Sequence, residues 1–409
     1  MNSLTGGRLE KLLAIPVIPV ILLVRLIRPL VWIRFGPIIS STIGHFVYDM
    51  EYYLKEREFE QSRKLDFFYF EHIPPSNTQW AGMVCRHMRV HPIVRYLDRA
   101  NQMIPGGQSH RFISLCKRSS LGTWDVKNLL YRTSQHIKFT KNEDKRGRQI
   151  LRDLGLQTQD RFVCLLVRDS AYKIKYHKYG ALNQAAKPKD WSYHDFRDSD
   201  IDTYEQAALA LAKKGYYVFR MGKIVHKPFL AKHPRILDYA NSPHRSDFLD
   251  IWLMANCYFT ITNISGLDSV AKVFHRPIVS VNSLPEGRFN CYLDKSIGIF
   301  KTLRWIDSQK NLSLKEQIQS KVIYIFHTDK YKEQGIEYLD NTPEEITEIV
   351  LEMEARLNGT WKKESDDARL QDRYWKIMKT WEGSSAFHKE IRGKIGSVFL
   401  RNNHKWLFS

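Results

Sequence analysis

Short apolar runs alternate along the chain with polar segments of helical period, and that alternation predicts a succession of strands and helices. VWIRFGPII (31–39) and LDFFYFEHI (65–73) read as strands, joined by the turn SSTIGHF and a helix over VYDMEYYLKEREFEQ. Pro74-Pro75 closes the second strand, and short helical pieces follow to about Tyr131. A charged segment of helical period over 141–154, ending at Gly155, reads as a connector. The alternation restarts at RFVCLLVRD (161–169), whose unbroken apolar run suits a strand covered on both faces. The stretch 173–199 is aromatic, charged and without period, as expected of a functional loop or insertion. A helix over 203–214 stopped by Gly215, the strands YYVFRMG and RILDYA, and a helix SDFLDIWLMANC capped by Ser246 come next. The order β-α-β-β-α-β-α-β predicts an open Rossmann-like sheet with right-handed crossovers. From 341 onward the chain reads as mostly helical, with Pro343 at the first helical position behind a Thr342 cap.

The segment YFTITNISGLDSVAKVFHRPIVSVN (258–282) runs from strand through polar turn and short helix to strand. Ser265 and Ser269 offer hydroxyls, Gly266 admits a ligand to the backbone, and Asp268 lies in the same turn, so the pattern predicts a nucleotide-diphosphate site. An ordinary serine cap in an α/β domain gives the same pattern. Arg168 and Arg220 end strands at the edge where ligands bind, the latter just before Gly222, and a guanidinium grips two phosphate oxygens at once. A salt bridge to a nearby carboxylate is the other use for each. Asn282 and Glu286, just past the last of these strands, are candidates for sugar or ribose hydroxyls, or parts of a solvated loop. In the first half, Ser41, Gly44 and His45 stand at the strand-to-helix turn. Imidazole suits a general base working near neutral pH, and it equally suits substrate contact. The triplet Asp198-Ser199-Asp200, with Asp202, has the oxygen ligands of a divalent-cation site, but the helix that follows makes these carboxylates first-turn charges. No metal is expected.

A chain of 409 residues with 43% hydrophobic and 12% aromatic content is globular and long enough for two domains. A formal charge of +19 points to an anionic partner. Five widely spaced cysteines without a C-x-x-C exclude a disulfide framework or zinc site and suit a reducing cytosol. Residues 12–24 form an apolar run too short to span a bilayer, interrupted by Pro16 and Pro19 and followed by arginines. They are expected to lie on the inner face of the cytoplasmic membrane, or else to be a buried first element of the fold.

RFGPIISSTIGHFVYDMEYYL, FVCLLVRDSAY, RDSDIDTYEQAALALAKKGYYVFRMG, the 246–282 segment and IGSVFLRNN together resemble a family of bacterial glycosyltransferases encoded with surface-polysaccharide genes, such as those of lipopolysaccharide. The resemblance implies an α/β GT-B architecture, two Rossmann-like domains facing across a cleft, with the nucleotide-sugar held mainly by the second. It also implies a Gly-rich acceptor loop at Gly44-His45 and diphosphate binding without metal. Asp198 stands where asparagine is common in that family. The expected layout is a membrane-associating segment over 1–30, an acceptor domain over 31–155, a nucleotide-sugar domain over 156–340, and helices over 341–409 packing back on the acceptor domain. The expected activity is sugar transfer from a nucleotide donor to a lipid-linked or growing surface glycan, in the cytoplasm at the anionic membrane surface, without cofactor or nucleic acid. Rival readings are a nucleotide-sugar epimerase or pyruvyl transferase on the same architecture, or a non-catalytic basic protein binding membrane or nucleic acid.

Overall fold

The computed structural model describes residues 10–60, 63–114, 125, 127–172, 174 and 192–409. Most of the expected loop at 173–199 lies outside them. The chain forms two compact units, dividing between Asn142 and Glu143 rather than at 155. The reason is the connector helix, which belongs to the second unit through Trp252. The Trp252 indole packs where a Cβ on Gly147 would stand, and its Nε1 donates to Asp144 at 3.1 Å.

In the first unit, helix α1 (Ile18–Leu26) follows a 3-10 turn over Ile15–Val17. Residues 10–14 are already helical, and at Pro16 the run tightens to 3-10 before resuming as α1 with Pro19 in its first turn, so the prolines modify the helical run without ending it. Strands β1 (Trp32–Ile38) and β2 (Lys64–Phe70) pair in parallel. They are joined by α2 (Ile43–Phe59), with α3 (Thr78–Cys85) and α4 (Val94–Met103) following. Single bridges add Arg111 to β1 and Val90 to β2. Among the described residues this unit is thus a reduced α/β layer, smaller than the Rossmann-like domain expected. Its centre is aromatic: the rings of Tyr53, Phe68 and Phe112 meet edge-to-face at 5.0–5.3 Å.

The second unit carries the large sheet. The connector is α5 (Lys141–Asp153), and β3 (Phe162–Leu166), α6 (Glu205–Lys213), β4 (Tyr217–Met221) and β5 (Ile236–Leu237) follow. Then come α7 (Asp247–Asn256), β6 (Phe259–Thr262), α8 (Asp268–Val273), β7 (Ile278–Ser283) and β8 (Ser296–Phe300). β9 (Thr302–Trp305) and β10 (Ile336–Leu339) form a separate antiparallel pair. After α9 (Pro343–Leu357), β11 (Lys394–Ile395) joins the sheet in parallel beside β8. The strand order is β11-β8-β7-β6-β3-β4-β5, with every pair parallel. From β5 to β8 this is the doubly wound order, reversing direction between β3 and β6. Residues 341–409 are therefore part of the second unit, where the sequence suggested a separate helical segment. The cause is visible in α9, where Glu354 takes Tyr216 Oη at 3.2 Å and Lys214 Nζ at 3.2 Å beside β4.

Candidate functional site

Ligands in such sheets bind at the carboxyl ends of the strands, where the order reverses. Here that point lies between Arg168, just past β3, and Asn263, just past β6. Asn263 is buried and ties the two ends together: its Oδ1 accepts from Arg168 N at 2.7 Å and its Nδ2 donates to Arg197 O at 3.0 Å. Ile264 then takes a φ of 61°, which strains a β-branched residue. Its carbonyl accepts from Arg197 Nη2 at 2.6 Å. The left-handed residue of the turn is thus Ile264, while Gly266 stands exposed beyond it and Ser265 is half-buried.

Three cations converge on this edge. Arg168 Nη1 pairs with Asp198 and donates to His194 O at 3.0 Å. Lys301, at the end of β8 and 2% exposed, reaches Asp198 O at 2.8 Å and Asp340 Oδ1 at 2.6 Å. Arg197 forms no ion pair among the described residues, and burial together with Arg168 pushes its guanidinium down to about 10. Burial also raises the Asp198 carboxyl, against the pull of Arg168, to about 6. The edge therefore gathers three cations among several carboxylates in a partly desolvated setting, and among the described residues Arg197 is the one of the three without an ion pair. Sequence reading had placed Arg168 and the turn from Asn263 through Ser265 and Gly266 at this edge, and had not named Arg197 or Lys301. Arg197 and Lys301 lie outside any motif, and only the topology brings them in.

Other expected contacts are turned to structural use. Asp268 is buried, accepts from Ser265 N at 3.1 Å through Oδ2, and pairs with Lys272 Nζ at 3.1 Å. Its carboxylate fills the position at the head of the six-residue α8 where an anion was expected. Ser269 is buried too, its N–H donating to Gly266 O at 3.3 Å. Arg220 is 1% exposed, pairs with Asp238 Oδ1 at 3.2 Å and donates to Lys227 O at 3.3 Å. It points toward β5 and holds the 222–238 loop, so it is no phosphate clamp. Gly222 serves the same loop: at its φ of 155° a Cβ would stand 2.5 Å from Val225 Cγ1. Asn282, buried, gives its Nδ2 to Ser199 Oγ at 2.7 Å and its N–H to Asn341 Oδ1 at 2.7 Å, which leaves nothing for a sugar. Glu286 is 1% exposed beside Gln317, and burial pushes its carboxyl up to about 8. It is a neutral core residue and not a solvated loop carboxylate.

In the first unit the helix starts earlier than the pattern suggested, at Ile43 behind Thr42, so Gly44 and His45 belong to its first turn. Ser40, not Ser41, makes the local clamp: its Oγ donates to His72 O at 2.8 Å and accepts from His72 N at 2.9 Å. Ser41 is half-buried in the bend before Thr42. One turn beyond His45 stands Asp49, its side chain 1% exposed, with Oδ1 3.9 Å from His45 Nδ1. Neither Asp49 oxygen accepts a hydrogen bond among the described residues. The His45 side chain is 40% exposed. A half-exposed imidazole beside a buried carboxylate is an arrangement that suits general-base chemistry.

The acidic triplet is used locally. Asp200 Oδ1 accepts from Asp202 N at 3.0 Å, and Lys227 Nζ pairs with Asp200 at 2.6 Å and with Asp202 at 2.5 Å. Among the described residues no cluster of three or more His, Cys, Asp or Glu is arranged to hold a metal.

No family model matches the chain, and no curated protein matches it. Among solved structures it is similar to a glycosyl transferase family 9 protein from Veillonella parvula, at 11% identity and a TM-score of 0.40, over 66% of this chain and 86% of that one. It is similar also to ADP-heptose lps heptosyltransferase II of E. coli, at 13% identity and a TM-score of 0.37, over 65% and 90%. A third is the E. coli heptosyltransferase WaaC with ADP, at 12% identity and a TM-score of 0.31, over 61% and 87%. At such scores and identities the likeness fixes neither the fold nor the activity of this chain.

Proposed function

We propose that the protein is a glycosyltransferase of GT-B type that moves a sugar from a nucleotide donor to a glycan or lipid-linked acceptor, in the cytoplasm and without a metal. The observation that carries this reading is the junction of Arg168 and Asn263 at the reversal of the strand order, with Arg197 held against it. Phosphate oxygens of the donor meet Arg168 and Arg197 there, with Ser265 and the exposed Gly266 backbone on the near side, while buried Lys301 braces the Asp198 and Asp340 segments behind them. As the bond from anomeric carbon to diphosphate breaks, the leaving group gains charge that these cations stabilise in place of water. The acceptor hydroxyl must lose its proton to a base as its oxygen bonds to the anomeric carbon, and His45, with Asp49 beside it, is the first unit's candidate for that part.

Incubation with a panel of nucleotide-sugars and product analysis tests this. Free nucleoside diphosphate with a glycosylated acceptor is expected; an isomerised donor with no transfer would make the protein an epimerase. His45→Ala is expected to lower transfer by about 100-fold while leaving donor binding intact, because it removes the base and no donor contact. Equal loss of donor binding would take the base role from His45.

A further inference from the structure

Among the described residues, one face of the N-terminal helical segment has no partner in its own unit. Ala14, Ile21 and Val24 are buried against Phe35, Tyr69, Val94 and Ala100. Arg25 pins the segment, donating from Nη1 to Pro105 O at 2.6 Å and from Nη2 to Asn101 Oδ1 at 2.9 Å. The segment is therefore a fixed element that cannot turn to hide its other side. On that side Leu12, Leu13, Leu22, Leu23, Leu26 and Leu30 are 51–76% exposed. Apolar patches of this kind on a soluble unit mark an interaction surface.

The surrounding charge selects the partner. No aspartate or glutamate occurs between Lys11 and Tyr48. At the C-terminal end of the apolar face, Trp32 gathers cations: Arg28 and Arg34 lie 5.2 Å and 5.8 Å from its ring centroid, and Lys64 Nζ lies 4.9 Å away. Beside it a cavity of 420 Å³ is lined by Arg34, Arg57, Lys64, Arg111 and Lys127 against Glu56 and Glu60. Burial and Arg34 hold the Lys64 ammonium below its usual value, which an approaching anion relieves. Exposed leucines bordered by cations and an indole are the composition of a helix lying in a headgroup layer. No described helix is long and apolar enough to cross a membrane.

We propose that this face docks the first unit onto an anionic phospholipid surface, with the leucines in the acyl boundary and Arg28 on lipid phosphates, while Arg34 and Lys64 stay paired with Asp66 and Glu60 at its border. Neither part depends on the transferase reading, and the test needs no substrate.

The full chain is sedimented with vesicles of phosphatidylcholine alone and of phosphatidylcholine with about 30% phosphatidylglycerol, near physiological salt. It is expected to pellet with the anionic vesicles, and Leu22→Ser/Leu23→Ser/Leu26→Ser is expected to weaken that binding at least about tenfold. Arg28→Glu, which leaves the apolar face intact, is expected to weaken binding to anionic vesicles only. Should the triple variant not fold, Leu30→Ser, beyond the end of α1, probes the same face. Wild-type protein remaining in the supernatant would overturn the proposal, as would folded variants that bind like the wild type. So would a dimer that the leucine substitutions dissociate in the absence of any vesicle binding, since the occupant would then be a second copy of the chain.

Discussion

At the residue scale, two buried acids are the most informative groups, because each has its carboxyl raised and each affects something measurable. Glu286 in the folded chain titrates at about 8 against 4.5 for the ordinary group. Between those values the unfolded chain gives up its proton while the folded one keeps it, so stability falls as pH rises. His388 is held down to about 4 from 6.5 by burial, so it removes stability as pH falls through that window. The two effects oppose each other between about 4.5 and 6.5, and the Glu286 effect is exposed from 6.5 to 8. Glu286→Gln, a neutral isostere, is therefore expected to flatten the decline of melting temperature over that range. Parallel wild-type and variant profiles would contradict it.

Asp198 belongs to the donor edge. With its carboxyl at about 6 it is mostly ionised at neutral pH, offsetting Arg168. Asp198→Asn removes one negative charge from the site and is expected to tighten nucleoside diphosphate binding about tenfold at pH 7, the effect of one unit of pKa. The gain is expected to shrink at pH 5, where the wild-type carboxyl is itself protonated. A gain equal at both pH values, measured by calorimetry, would mean that charge is not the cause. Arg220 has the opposite character. Its removal leaves Asp238 with only the Phe229 and Asn241 donors and without a counter-charge, so Arg220→Ala is expected to cost on the order of 3 kcal/mol of stability without acting on the donor edge.

At the scale of elements, Thr342 and Glu345 form a reciprocal cap on α9, with Glu345 N donating to Thr342 Oγ1 at 3.2 Å. Thr342→Ala is expected to cost about 1 kcal/mol by denaturant unfolding, and an unchanged midpoint would show the cap to be redundant. Caps of this sort are local, and so Ser246 and Thr342 were legible in the sequence, as were β3, β4 and β6 from their unbroken apolar runs. The start of α2 was misjudged because Ile43 and Gly44 carry no cap signal: Thr42 makes no capping bond. β11 was unreadable, since two residues of no marked pattern become a strand only when β8 offers them an edge. Arg220 was misassigned for a related reason. Strand alternation tells which face a side chain takes, but not that Asp238 waits there.

At the scale of the whole molecule, the two proposals assign part of the +19 charge to places within separate units, the proposed donor edge of the large sheet and the cationic border of the apolar helix. Topology accounts for the first: the order reversal between β3 and β6 brings together residues from 168 to 301 that no linear motif unites. The measurement that bears hardest on this is calorimetric titration of the full chain with nucleoside diphosphates in the presence of a chelator. Saturable binding is expected, weakened at least about tenfold by Arg197→Ala, which removes a guanidinium that forms no ion pair among the described residues. Binding that requires a divalent cation, or that Arg197→Ala leaves unchanged in the folded protein, would contradict the assignment of this edge to the donor.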